Sequence, residues 1–154
     1  MHLQIRPANR SDASFIADSN IRMAWETEHR QLDPQTVAAG VASALEDSNK
    51  GIYYVAEANG KPVGQMFITY EWSDWRNGNF WWIQSVYVLE TFRSQGIFRA
   101  LFEHVHALAR ARKDVCGLRL YVETDNAKAK QVYSKLGMHE TDYDVFETDF
   151  VLSH

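Results

Sequence analysis

The stretch Gly51 to Trp72, GIYYVAEANGKPVGQMFITYEW, constrains the fold more than any other part of the chain. Two runs rich in β-branched and aromatic residues flank Asn59-Gly60, a dipeptide that readily supplies the positive φ angles of a tight hairpin turn. A hairpin makes its two strands antiparallel neighbours, so the remaining elements must be arranged around that pair. After the loop SDWRNGN comes FWWIQSVYVL, Phe80 to Leu89, a nearly continuous apolar run interrupted by Gln84 and Ser85. Such a run predicts a central strand covered on both faces.

The other elements follow from periodicity. HLQIRPA reads as a short strand. NRSDASFIADSNIRMAWETEHRQ reads as a helix with Phe15, Ile16, Ile21 and Trp25 on one side, and with Asn9 or Ser11 as its cap. A second helix is predicted from about Pro34 to Leu45, with proline tolerated in the first turn and Val37, Val41 and Leu45 spaced by four. After the central strand come a helix from about Gln95 to Arg112, the strand GLRLYVET, and the helix NAKAKQVYSKL closed by Gly137. The tail HETDYDVFETDFVL alternates enough to predict one or two further strands. This order implies an α/β (α+β) architecture, a mixed and largely antiparallel sheet with helices on its faces. With no repeat or linker in 154 residues, a single domain over 1–154 is expected.

Charge excludes some partners. A net charge of −4 and a pI near 5.8 provide no excess of Lys and Arg for a nucleic-acid or anionic-membrane surface. Any anion must therefore be caught locally. Cys116 is the only cysteine, so no intrachain disulfide is possible, and MHLQIRPANR lacks the apolar core of a signal peptide. The expectation is a soluble cytoplasmic protein. His104 and His106, two apart on a helix, diverge and with Cys116 make no metal site, and Cys116 reads as structural, preceding its strand.

The chemistry is concentrated where the strand around Val86 and Val88 meets the helix that begins near Gly96, through Arg93-Ser94-Gln95-Gly96. A helix N-terminus exposes unpaired N–H groups and a positive dipole end, and Gly96 removes a side chain where a phosphate would approach. Arg93 and Arg99 are the nearby cations. Some thirty residues on, Asn126 and Tyr133 are seven apart, two turns of one helix, and so lie on the same side of it.

These paired motifs resemble those of the GCN5-related N-acetyltransferases, which move acetyl from acetyl-CoA to an amine. Val88, Arg93 and Gly96 match the family's V-x-P-x-x-R-x-x-G-x-G/A pattern. Asn126, Ala129, Tyr133 and Gly137 match N-x-x-A-x-x-x-Y-x-x-x-G-F, with Met138 in place of Phe. The resemblance implies acetyl-CoA bound by the loop Arg93, Ser94, Gln95, Gly96 with Phe98 and Arg99, by the backbone of Val86 and Val88, and by Asn126 and Tyr133. It also implies a gap around Val86–Val88 and Leu120–Val122 for the pantetheine arm.

Two positions depart from the first of these patterns: Glu90 replaces a proline, and Phe98 replaces Gly or Ala. Phe98 and Phe102 are four apart, so Phe98 is expected to turn toward the helix's apolar face.

By the same resemblance Tyr133 is the acid that protonates the leaving thiolate. Many relatives carry a strand glutamate where this chain has Gln84, an amide that holds a water but takes no proton. Glu123 and Glu71 are the carboxylates available as base. Trp25, Trp72 and Trp75 interleave with Glu26, Glu28, Glu71 and Asp74, a composition suited to an organic cation. The partners implied are acetyl-CoA and a small cationic amine, without metal, nucleic acid or membrane, and a homodimer stays open. Gln84 and Phe98 also leave open a catalytically idle member that binds CoA or a protein partner.

Overall fold

A computed structural model of the protein describes residues 1–152. They form two compact units, Met1–Tyr121 and the segment from Val122 onward. The first unit contains β1 (Leu3–Pro7), α1 (Ala13–Glu28), α2 (Pro34–Glu46), β2 (Ile52–Ala58), β3 (Lys61–Ser73), β4 (Gly78–Val88), α3 (Ile97–Ala111) and β5 (Val115–Leu120). Short 3-10 turns at Arg10–Asp12 and Glu90–Phe92 precede α1 and α3. The second unit contains α4 (Ala127–Lys135). No helix among the described residues is long and apolar enough to cross a membrane.

The five strands lie in chain order, β1 to β4 antiparallel and β5 parallel to β4. The β2–β3 turn takes the expected form, with φ of 53° at Asn59 and 82° at Gly60. Two positive φ values in succession match the strands' right-handed twist. Neighbouring side chains on β2 point to opposite faces: Tyr53 and Val55 join Ile16, Val41 and Ala44 beneath α1 and α2, while Tyr54 packs edge-on against His104 of α3. Gly64 lets α3 approach closely, since a Cβ there would lie 3.3 Å from Ile97 and 3.2 Å from the Tyr87 carbonyl.

One irregularity shapes the site. Phe67 pairs with Ser85 and Ile68 with Ile83, so Gln84 is an extra residue, a β-bulge in β4. The β4–β5 ladder ends at Ile83 and Leu120, and the second half of β4, with Val86 and Val88, continues with no strand on that side among the described residues. A bulge bends its strand and raises the local twist, which accounts for the ladder ending beside Gln84.

Four sequence expectations are corrected. Helix α1 starts at Ala13, not Asn9; Asn9 caps the preceding 3-10 turn, its Oδ1 accepting from the Ser11 N–H at 2.9 Å while Asp12 Oδ2 accepts from the Asn9 N–H at 2.8 Å. The buried stripe of α1 is Ile16, Ser19 and Ala24, and Trp25 lies off it, 52% exposed, because the stripe follows the sheet and not the run of large residues. Strand β5 begins and ends earlier than the apolar pattern suggested, so Cys116 lies inside it and Glu123 beyond it. The tail contains no strand among the described residues. Alternation prescribes which way side chains point, but a strand exists only where a second strand takes its backbone hydrogen bonds.

A charged clamp not legible in the sequence joins β1, β2 and the start of α1. Arg6 donates to both oxygens of Asp12 at 2.7 and 2.9 Å and through Nε to Glu57 at 2.7 Å. Asp12 is 2% exposed, and the guanidinium holds its carboxyl below the usual range.

Candidate active site

Past the bulge, β4 leads into the turn Glu90–Phe92 and then into Arg93–Gly96. Ser94 and Gly96 have φ of 64° and 81°, and Gly96 is the N-cap of α3, where no side chain caps the helix. The first-turn N–H groups thus point outward with no side-chain acceptor, as an anion requires. A Cβ on Gly96 would meet no protein atom within 4 Å. Val88, Phe92, Arg93, Ser94, Gly96, Ile97, Phe98 and Arg99 line a depression of about 250 Å³ here. Phe98 turns along the helix toward Phe102, ring centres 6.3 Å apart, and still forms part of this wall.

The two arginines are held differently. Arg93 Nε donates to the Val88 carbonyl and its NH2 to Glu26 Oε2, both at 2.9 Å, while the guanidinium lies 5.2 Å from the Tyr87 ring centre. The Tyr87 hydroxyl donates to the other Glu26 oxygen at 3.1 Å. Arg93 thereby braces the loop to both β4 and α1. Among the described residues Arg99 pairs with Glu103 alone, one turn on, at 2.8 Å and well exposed, so it can swing to an anion at little cost. Gln95 braces the turn through a 3.1 Å bond to the Thr91 carbonyl.

Bracing and charge make different demands on Arg93, which gives a test. Lysine keeps the charge but cannot donate to Val88 and Glu26 from a rigid fork. If bracing dominates, Arg93→Lys weakens anion binding at the loop about five- to tenfold, the worth of roughly one such hydrogen bond, and nearly as much as Arg93→Ala. Calorimetric titration of both variants with acetyl-CoA checks this. Lysine restoring wild-type affinity would make charge the dominant contribution.

Of the residues expected to face an organic cation, Glu26 is tied to Arg93 and Tyr87. Glu71 accepts from Trp82 Nε1 at 2.8 Å and from Arg119 at 2.9 Å. Arg119 also lies over Phe80, 3.7 Å from its ring centre. Both carboxylates thus have internal cationic partners. Trp25, Glu28, Trp72, Asp74 and Trp75 are exposed, Asp74 and Trp75 in the turn between β3 and β4. Gln84 is exposed on the bulge.

Sequence reasoning missed Tyr87, whose phenol burial and the neighbouring Glu26 push up, and Gln65. Gln65 is fully buried, donates to Asn20 Oδ1 of α1 at 3.0 Å, and keeps a buried Oε1 with no partner among the described residues. An amide inside an apolar strand run was the available signal.

In the second unit, Asn126 Oδ1 accepts from the Ala129 N–H at 3.1 Å and so caps α4. Gly137, φ 92°, follows the helix, and the Met138 N–H donates back to the Tyr133 carbonyl at 3.0 Å. Burial pushes the Tyr133 phenol up, keeping it protonated at neutral pH. Glu123 is exposed, in the turn before α4, where its carbonyl accepts from the Asn126 N–H at 2.9 Å. No cluster of His, Cys, Asp and Glu suited to a metal occurs among the described residues.

The sequence pattern described as the acetyltransferase (GNAT) family matches residues 16–138. A possible acetyltransferase from Clostridium difficile 630 is 43% identical, with a TM-score of 0.91 over 99% of this chain and 100% of its own. Two further structures share the fold. A ribosomal-protein-alanine N-acetyltransferase from Brucella melitensis biovar Abortus is 17% identical, with a TM-score of 0.78 over 97% of this chain and 100% of its own. The aminoglycoside N-acetyltransferase AAC(6′)-Iy, solved with CoA, is also 17% identical, with a TM-score of 0.77 over 97% of this chain and 95% of its own. No curated protein matches the chain.

Proposed function

The chain belongs to the acetyltransferase (GNAT) family, and from that premise we propose that it transfers acetyl from acetyl-CoA directly to a primary amine, a small cationic one. The observation that carries this reading is the bulge at Gln84, past which β4 keeps its pairing with β3 but has no strand on its β5 side among the described residues, just before the helix that Gly96 opens. The loop and the helix N-terminus suit a pyrophosphate: Gly96 presents no side chain, and uncapped N–H groups point outward. The free edge of β4 past Ile83 suits the amide-bearing pantetheine arm, as a strand edge suits an extended peptide.

In the proposed step the amine nitrogen, in its neutral form, attacks the thioester carbonyl carbon. Backbone N–H groups at the opened end of β4 take the charge that develops on the oxygen. The C–S bond breaks, the thiolate receives the Tyr133 phenolic proton, and the proton lost from nitrogen passes to water at Gln84. Tyr133 is then reprotonated from solvent. Glu123 is the nearest carboxylate by sequence to the end of β5 and is proposed as the final proton acceptor. Trp25, Glu28 and Asp74, with indole and carboxylate groups exposed, are proposed to favour a cation over an anion.

Acetyl-CoA turnover, followed by thiol release against a panel of amines, tests this. Spermidine, an aminoglycoside and an alanyl peptide should be acetylated in preference to glutamate or a neutral amine. The largest kcat/KM on an acidic amino acid would refute the acceptor class. Calorimetric binding of acetyl-CoA without thiol release from any amine would favour the idle reading that Gln84 raises.

A further inference from the structure

Arg93 is claimed by two anions. Its guanidinium bonds to Glu26 Oε2 at 2.9 Å, and the same residue lines the depression at the start of α3 where a pyrophosphate is proposed to sit. Glu26, Tyr87 and Arg93 all belong to Met1–Tyr121, so their bonds lie within one unit. The side chains of the pair are 43% and 37% exposed, and an ion pair so placed contributes little stability by itself. A pyrophosphate brings more negative charge than one carboxylate and accepts charge-assisted hydrogen bonds from arginine. Two anions on one cation also repel each other, so the pyrophosphate and Glu26 compete.

We propose that Glu26 exchanges partners: a pyrophosphate at the loop takes Arg93 from it, and the released carboxylate, held by Tyr87, binds an ammonium of the acceptor. This rests on the acetyl-transfer reading. Both residues can make the exchange without being stranded. Arg93 keeps its separate Nε bond to the Val88 carbonyl, and the Tyr87 hydroxyl goes on donating to Glu26 Oε1 at 3.1 Å.

Position and chemistry narrow the acceptor. Tyr87 stands past the bulge of β4, between Val86 and Val88, so the carboxylate it holds lies beside the stretch proposed to receive the thioester. Arg22, the other cation whose charge reaches Tyr87, is balanced by Asp18 at 3.1 Å. The attacking nitrogen must be neutral, whereas a carboxylate bound to it would favour its protonated form. The ammonium at Glu26 is therefore a second one, which makes the acceptor a di- or polyamine.

Calorimetry with CoA, which has no acetyl group to transfer, and spermidine measures the exchange apart from turnover. Glu26→Gln keeps size and a hydrogen-bond acceptor but drops the charge, and should bind CoA about two- to fivefold more tightly than wild type, the contribution of one half-exposed ion pair. Tyr87→Phe removes the hydroxyl that holds the released carboxylate and should shift CoA affinity the opposite way. By linkage, CoA and spermidine tighten each other's binding by one common factor, which should be about two- to fivefold larger in wild type than in Glu26→Gln. Direct attraction between the polyamine and the CoA phosphates is common to both proteins and cancels in that ratio. Weaker CoA binding by Glu26→Gln, as the loss of a brace would give, or an equal linkage factor in the two proteins would overturn the exchange. Absence of thiol release from every amine would refute acetyl transfer alone, since the affinities decide the exchange without it.

Discussion

Replacing Tyr133 by phenylalanine lowers kcat by about 10²–10⁴-fold, the range for a positioned general acid, while the acetyl-CoA dissociation constant changes less than about twofold. Burial pushes the phenol up, so Tyr133 keeps its proton at neutral pH, the protonation state that a general acid requires. A loss confined to the transition state lowers kcat and kcat/KM together, without raising KM. Single-turnover measurement isolates the chemical step, and unchanged single-turnover rates would remove Tyr133 from the proton path. Because α4 is capped independently by Asn126, the substitution should leave the far-UV spectrum intact.

Gly96→Val has the second large effect, on binding. Gly96 sits at φ 81°, a region that costs an L-residue roughly 1–2 kcal/mol, so Val both strains the loop and places a branched side chain over the first-turn N–H groups of α3. Losing about two charge-assisted hydrogen bonds at 1.5–3 kcal/mol each corresponds to at least a ~100-fold rise in the acetyl-CoA dissociation constant. The expected fall in Tm is only about 2–8 °C, from the strain alone. A Cβ would meet no protein atom within 4 Å, so Gly96→Ala separates the two causes. Alanine carries the backbone strain with little crowding and should lie between wild type and Val. Calorimetry on all three proteins decides it, and equal affinities among folded variants would place the donor elsewhere.

Several local features were legible in sequence because they depend on one residue's own backbone. Asn59-Gly60 takes two positive φ values in succession, and Gly96 opens α3. Each is a local preference acting over three or four residues. Phe98 was also readable, since its turn toward Phe102 follows from helical spacing. The tail misled for the opposite reason: period-two alternation was real, but pairing depends on a partner strand that alternation cannot specify.

What the sequence by itself determined is therefore the main helices and strands up to α4, the Asn59-Gly60 turn and the glycine that opens α3, because these are decided by local torsional preference and side-chain period. Only the tertiary structure decided what the charges do. Glu26, read as a contact for an amine, meets Arg93 sixty-seven residues away, and Glu71 meets Arg119 forty-eight residues away. It likewise decided that Gln84 is the extra residue of a bulge, which depends on how β3 and β4 register and not on either strand alone. Pairings at that separation follow from which strands are neighbours and which faces they share, and no periodicity along one strand contains that information.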